Sequence, residues 1–169
     1  IIALAKPKLH SIEQLRVSEN PFVIVLESVE KPGNLGAILR TADAAAVDAV
    51  IVCDPQTDLY NSNVIRSSVG TVFSVQTAVC SSQEAFDWLE QHHIVSFAAE
   101  LQASEFYQTI DFRGPSAIVM GTEADGLTDF WLRHAKKRIK IPMRGKIDSL
   151  NVSVSTAILT FEAMRQRGF

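Results

Sequence analysis

The stretch Ile141-Pro142-Met143-Arg144-Gly145-Lys146-Ile147-Asp148-Ser149-Leu150-Asn151-Val152-Ser153 joins a short apolar strand to the last helix of the chain. Pro142 and Gly145 break the strand into a loop. A Ser or Asn within residues 149–151 then starts the helix, because its side-chain oxygen accepts a backbone N–H that the first turn leaves orphaned. Val154, Ile158 and Phe161 follow at helical spacing, with Ala157 and Met164 beside them. Backbone donors, hydroxyls and an amide are therefore expected at a helix N-terminus beside apolar Ile141, Met143 and Leu150. Such a place suits a ligand with one apolar and one charged part. Taken locally, the same residues also describe a capped helix after a tight loop and nothing more.

Upstream, apolar runs alternate with helical patterns. Phe22-Val23-Ile24-Val25-Leu26 is a continuous apolar run, the pattern of a strand buried on both faces. Residues 27–33 read as a loop, and a helix is expected from Asn34 with Leu35, Ile38, Leu39 and Ala42 on its apolar side. Gly36 in its first turn permits a close backbone approach. Residues 49–52 read as a strand, 63–68 as a short helix stopped by Gly70, and 72–77 as another strand. Ser81 with Glu84 three residues later forms a capping box before Phe86, Trp88 and Leu89. Residues 94–99 and 117–120 are further strands, followed by the polar loop 100–108 and the tight loop 121–126 respectively. Thr128 is expected to cap a helix carrying Trp131 and Leu132, and residues 138–141 are the strand before the quoted loop.

This alternation predicts an α/β fold, a parallel sheet with helices on both faces. Ligands in such sheets bind beyond the carboxyl ends of the strands. The loops opening at Glu100, Gly121 and Pro142 are thus the candidate site. Residues 1–20, weakly helical and interrupted by Pro7, are expected to be a linker or extension, with one domain over residues 21–169. Because the chain opens on Ile1 rather than Met, a longer parent is expected.

At 169 residues, 47% hydrophobic and 21% charged, the composition is that of one ordinary globular domain. No apolar run approaches the ~18 residues of a membrane-spanning helix, and no signal-peptide pattern opens the chain. Cys53 and Cys80 have no metal-ligand spacing and read as buried free thiols of a reducing compartment. His10, His92, His93 and His134 are scattered, so no metal is assigned. Gly33-x-x-Gly36 lacks the spacing of a dinucleotide loop, and Gly36-Ala37 is not a phosphate loop. The net charge of -3 does not announce a nucleic-acid binder. Its distribution does more: Lys136, Lys137, Arg138, Lys140, Arg144 and Lys146 lie close together, a local basic surface able to hold phosphate, or equally a solvated face.

Three stretches together resemble the SpoU family of RNA ribose 2′-O-methyltransferases, within the SPOUT superfamily: residues 34–43 with Asn34 and Arg40, residues 118–127 with Gly121, Glu123 and Gly126, and residues 141–167 with Ile141, Met143, Ser149, Asn151 and Ser153. Each alone is weakly specific; in this order and spacing the three are strongly so. One departure is Ala46, where the family often has Gly. The resemblance implies a sheet whose C-terminal portion is threaded into a trefoil knot, S-adenosylmethionine (SAM) as cofactor, an RNA substrate, a cytoplasmic location and a homodimer with active sites near its interface. It implies no metal and no membrane. Carried over by position, Gly121, Ile141 and Leu150 belong to the cofactor site, where apolar Met143 and the loop start at Ala99 and Glu100 are expected to join them. Asn34, Arg40, Glu123, Ser149 and Asn151 belong to the catalytic and site-ordering set; the basic run read above, with Lys136, Lys137, Arg144 and Lys146, is then the expected RNA surface.

The residue chemistry agrees with that set. Methyl transfer from a sulfonium needs neither metal nor covalent nucleophile, but an aligned hydroxyl made nucleophilic. Arg40 is a poor base, since a guanidinium keeps its proton up to pH ~12. Its expected work is electrostatic: a fork on the substrate phosphate and stabilisation of the developing alkoxide. The proton acceptor is then that phosphate or solvent. Two further readings keep the fold. Transfer to a base nitrogen is opposed by the Asn34 and Arg40 pair. An RNA-binding module without catalysis is opposed by the presence of Arg40, Glu123, Ser149 and Asn151.

Overall fold

Phe22–Glu27 is buried at every position and forms β1, whose partners on either side build the centre of the sheet. The structure is a computed structural model and describes residues 6–103, 105–122 and 124–168. The other strands are β2 (Ala49–Cys53), β3 (Thr77–Cys80), β4 (Val95–Ala99), β5 (Glu105–Phe106), β6 (Ser116–Met120) and β7 (Lys137–Lys140). Among the described residues they make one seven-stranded sheet in the order β3-β2-β1-β6-β4-β7-β5. Every pairing is parallel.

Successive strand residues point to opposite faces, so β1 feeds two separate cores. Phe22, Ile24 and Leu26 pack with Leu35, Ile38 and Leu39 of α1 (Pro32–Ala44), Val64 of α2 (Ser62–Ser68) and Leu159 of α5 (Val152–Arg167). Val23 and Val25 pack on the other side with Ala85, Trp88 and Leu89 of α3 (Ser82–Gln91) and Trp131 of α4 (Asp129–His134). Helices on both faces are what the near-continuous aliphatic strands required. The Ser81–Glu84 capping box forms as expected.

Several local expectations are corrected. The first helix begins at Pro32 rather than Asn34, because proline's fixed φ and missing N–H suit the first helical position. Residues 72–77 are not a strand. Val69 and Gly70 turn left-handed (φ 53 and 91), Thr71–Phe73 makes a 3-10 turn, and the strand starts only at Thr77. Hydrogen bonds from Thr71 Oγ1 to Ser68 O and from Ser74 N to Thr71 O satisfy that segment locally. The loop at 100–108 contains β5, and the last strand runs 137–140 rather than 138–141. The final helix, by contrast, starts as expected: Asn151, within the 149–151 window, is its N-cap, and Val152 is its first residue. Ala46, the departure from the family pattern, adopts φ 49, a left-handed conformation that favours glycine.

Two contacts close the fold. Gly36 lies where α1 meets α2, and a Cβ there would overlap the Ser67 side chain. Arg167, at the end of α5, donates to the carbonyls of Phe112, Asn20, Pro21 and Gly114 at 2.5–3.1 Å. Arg165 forks instead onto Glu162, holding that carboxyl down at about 2. Residues 6–20 pack on the sheet edge: Val79 N donates to His10 O, and Ile12 and Leu15 enter the second core. Cys53 and Cys80 pair in register as free cysteines, Cys53 buried and Cys80 only half-buried; the Cys80 thiol, then burial, push the Cys53 thiol up. No helix among the described residues is long and apolar enough to cross a membrane.

Candidate functional site

The strands β6, β4 and β7 lie side by side, and their carboxyl ends release the three loops expected to bind a ligand. Between those loops lies a cleft of about 490 Å³. Ala99 and Glu100 from the β4 end, Gly121 from the β6 end, and Ile141, Met143 and Leu150 from the β7 side all line it. A volume in this range holds a nucleoside-sized ligand. The floor is apolar, with buried Ile139 and Met120 beneath the loops.

Gly121 is dictated by its own loop. Thr122 N donates to Gly126 O at 2.9 Å, folding the loop back onto the strand end. A Cβ on Gly121 would overlap the backbone of Gly126 and Leu127. The loop backbone therefore borders the cleft with no side chain at Gly121. Glu123 lies outside the described residues.

Across the cleft, Leu150 is 37% exposed and Ser149 Oγ donates to Asp148 Oδ1 at 3.3 Å. Asn151 Oδ1 accepts from Ser153 N at 3.0 Å and Ser153 Oγ at 2.6 Å, which caps α5. Its Nδ2 donates to Asn34 Oδ1 at 3.1 Å. The first and third sequence stretches thus meet at the N-termini of α1 and α5, beside two lining residues, Leu150 and Val152.

Arg40 is exposed and, among the described residues, makes no hydrogen bond or ion pair. Six positions along α1 separate it from Asn34, about 9 Å of rise and some 120° of turn. The two side chains leave the helix in different directions, and Arg40 does not line the cleft of its own chain. Lys136, Arg144 and Lys146 are exposed. Lys137 is already paired, its ammonium 2.9 Å from Glu105. Among the described residues no cluster of side chains could hold a metal ion.

Sequence reasoning missed a buried carboxylate that holds the site from behind. Glu27 is 2% exposed. It accepts from Thr128 N at 2.8 Å, Thr128 Oγ1 at 2.7 Å and Ser82 Oγ at 3.2 Å. Ser82 Oγ has one proton to share between Glu27 and Asp54 Oδ2, the latter at 2.7 Å, and it accepts from Trp131 Nε1. Thr128 was expected to cap α4 with its hydroxyl; it sits at the cap position, but its hydroxyl goes to Glu27 instead. The end of the 121–128 loop is therefore anchored to β1. The one signal in the sequence was a charged residue ending an otherwise wholly apolar strand.

The family model described as the SpoU rRNA methylase family matches residues 21–161. The chain is 37% identical over 151 residues to the 23S rRNA (guanosine-2′-O-)-methyltransferase RlmB of Yersinia pestis, covering 89% of this chain and 61% of that protein. It is 36% identical to the protein of the same name from Pseudomonas aeruginosa, covering 92% of this chain and 63% of that one. Among solved structures, an RNA 2′-O ribose methyltransferase superposes with a TM-score of 0.86 at 46% identity, covering 93% of this chain and 60% of that chain. The SpoU methyltransferase AviRb from Streptomyces viridochromogenes, in complex with the cofactor AdoMet, gives 0.90 at 29% identity, covering 95% and 66%. The chain thus spans about three fifths of the length of these relatives.

Proposed function

This chain belongs to the SpoU rRNA methylase family, and from that premise we propose that it transfers a methyl group from SAM to a ribose 2′-hydroxyl of structured RNA, ribosomal or transfer. The observation that carries the reading is the shared cleft: all six residues expected at the cofactor come from three separate loops and line the same space.

What supports the cofactor is the chemistry of that lining. Ile141, Met143 and Leu150 offer an apolar wall for a purine. The glycine at position 121 lets the backbone of Gly126 and Leu127 close against the strand end, which sets the loop at the cleft wall. A buried carboxylate oxygen of Glu100 lacks a donor among the described residues. SAM would supply an electrophilic methyl on a sulfonium. The chain's residues do the rest: they hold the purine, exclude water from the apolar floor and orient the incoming ribose. Arg40 forks onto the RNA phosphate and stabilises charge developing on the 2′-oxygen. Asn34, Glu123, Ser149 and Asn151 order the site around it, and the proton leaves to that phosphate or to solvent. Lys136, Arg144 and Lys146, with Lys137 in a lesser part, hold the RNA backbone.

The same reading includes a homodimer. Val154 (46% exposed) and Phe161 (42%) stand seven residues apart on α5 and give that helix a partly exposed apolar stripe. Arg40 does not line the cleft of its own chain, which favours a site completed near a two-fold axis. The family likeness supports a trefoil knot in the C-terminal portion. It also supports a methyltransferase domain at residues 21–169 preceded by an extension at 1–20. The ribosomal RNA named for the relatives supports a cytoplasmic location.

The test is transfer from labelled SAM to ribosomal and transfer RNA, followed by nuclease digestion and chromatography of nucleosides. Label in 2′-O-methyl nucleosides is expected. Label in a methylated base would move the chemistry to a base nitrogen. RNA binding with no transfer would leave a binding module.

A further inference from the structure

Glu100 stands one residue beyond β4, its backbone N–H bonded to Ile139 O at 2.9 Å. Its side chain is 17% exposed and lines the cleft. Oε2 is buried and accepts no hydrogen bond among the described residues. Arg138 Nη1 lies 3.6 Å from that oxygen, an ion pair too long to be a hydrogen bond. A buried acceptor left without a donor is unfavourable, so the missing donors are to be sought on the ligand.

Resting on the SAM reading above, we propose that Glu100 is the specificity residue for the cofactor's ribose. Its Oε2 accepts from the vicinal 2′- and 3′-hydroxyls, and Arg138 is the positioning residue that holds the carboxylate toward them. Charge decides between the hydroxyls and the ligand's ammonium, and the adenine amine goes with its purine to the apolar wall of Ile141, Met143 and Leu150. The guanidinium of Arg138 already offsets the Glu100 charge, so a second cation there meets like charge. Hydroxyls bring donors without charge. The ligand's ammonium has better partners in Asp125 and Asp148, exposed carboxylates at the rim of the same cleft. A carboxylate is also the one side chain that accepts from two adjacent hydroxyls and donates nothing back.

Calorimetry with chelator present tests this on the intact chain, using S-adenosylhomocysteine and its 2′-deoxy, 3′-deoxy and 2′,3′-dideoxy analogues. Wild type is expected to lose about tenfold or more in affinity for the dideoxy analogue. In Glu100→Ala the parent ligand weakens by a similar factor, and the difference between parent and dideoxy shrinks to within about twofold. Arg138→Ala retains binding but lowers the discrimination, and Arg138→Lys restores part of it. Equal binding of parent and dideoxy ligands by wild type overturns the proposal without any variant. Full discrimination in Glu100→Ala, or an equal loss for every ligand, also overturns it while the SAM reading stands. No binding of the parent ligand by folded wild type overturns both.

Discussion

Asn151 holds Asn34 by a single hydrogen bond, Nδ2 to Oδ1 at 3.1 Å, across 117 positions of sequence. The orientation is forced. Asn151 Oδ1 is committed to the N–H of Ser153, so its amide nitrogen must face Asn34. The cap of one helix is therefore tied to the side chain at the start of another.

The two duties can be separated. Asn151→Asp keeps an N-cap oxygen but removes the donor to Asn34, whereas Asn151→Ala removes both. Only the Ala variant should lose the roughly 1 kcal/mol of a cap, read by thermal melt. Methyl transfer should fall in both, read by single-turnover assay. Wild-type transfer in Asn151→Asp would detach the Asn34 contact from catalysis.

Much of this site was legible in the sequence because it depends on local signals. Continuous aliphatic runs announced the strands, and Gly121, Pro142 and Asn151 marked the turns that make the cleft. What escaped were partners brought together only by the order of the strands. The Thr128 hydroxyl has a local use, capping its own helix, and nothing nearby reveals that Glu27, 101 residues earlier, takes it instead. Val72 and Val75 have strand-like composition, but Val69 and Gly70 turn the chain left-handed just before them. Lys137 looks like part of a free basic run until β5 sets Glu105 against it.

Arg40 separates chemistry from binding. Arg40→Ala should lower single-turnover methyl transfer by about 10²–10³, the cost of losing a preorganised donor. Arg40→Lys should not rescue it, because an ammonium lacks the planar fork. SAM affinity should remain near wild type, since Arg40 does not line the cleft. Near-normal turnover in Arg40→Ala would shift alkoxide stabilisation to Asn34 or the α5 cap.

Salt dependence tests the RNA surface. Changing Lys136, Arg144 and Lys146 to Ala should weaken RNA binding and lower the log–log salt slope by roughly 0.7–0.9 for each phosphate that is no longer neutralised. Lys137→Ala should change it less, because that ammonium already faces Glu105 at 2.9 Å. An unaltered slope in the triple variant removes this face from the RNA interface.

Glu27→Gln leaves one accepting oxygen for the three donors that Glu27 now satisfies. Stability should drop by roughly 1–3 kcal/mol in denaturant melts. SAM affinity should fall as well, because Thr128 ends the loop that begins at Gly121. Lost stability with unchanged affinity would confine the network to folding.

Ala46→Gly is expected to stabilise. Ala46 holds φ 49, where a Cβ is strained by about 1–2 kcal/mol, offset in part by glycine's extra freedom in the unfolded chain. A small rise in midpoint with unchanged methyl transfer is the expected result; a fall would show that the Cβ is packed rather than strained.

The strand order bears on how the chain is made. β1 and β4 do not pair with each other; each pairs with β6, which lies between them. While the ribosome has delivered only the residues before Ser116, the nascent sheet is two fragments, β1 to β3 on one side and β4 on the other, with both inner edges unpaired. Such edges invite pairing with other chains. Emergence of five residues, Ser116–Met120, zips the fragments together, and the clasp of Arg167 on four carbonyls follows only once α5 has emerged. Slow translation between β4 and β6 thus prolongs the interval in which this protein is most open to aggregation and most in need of a chaperone.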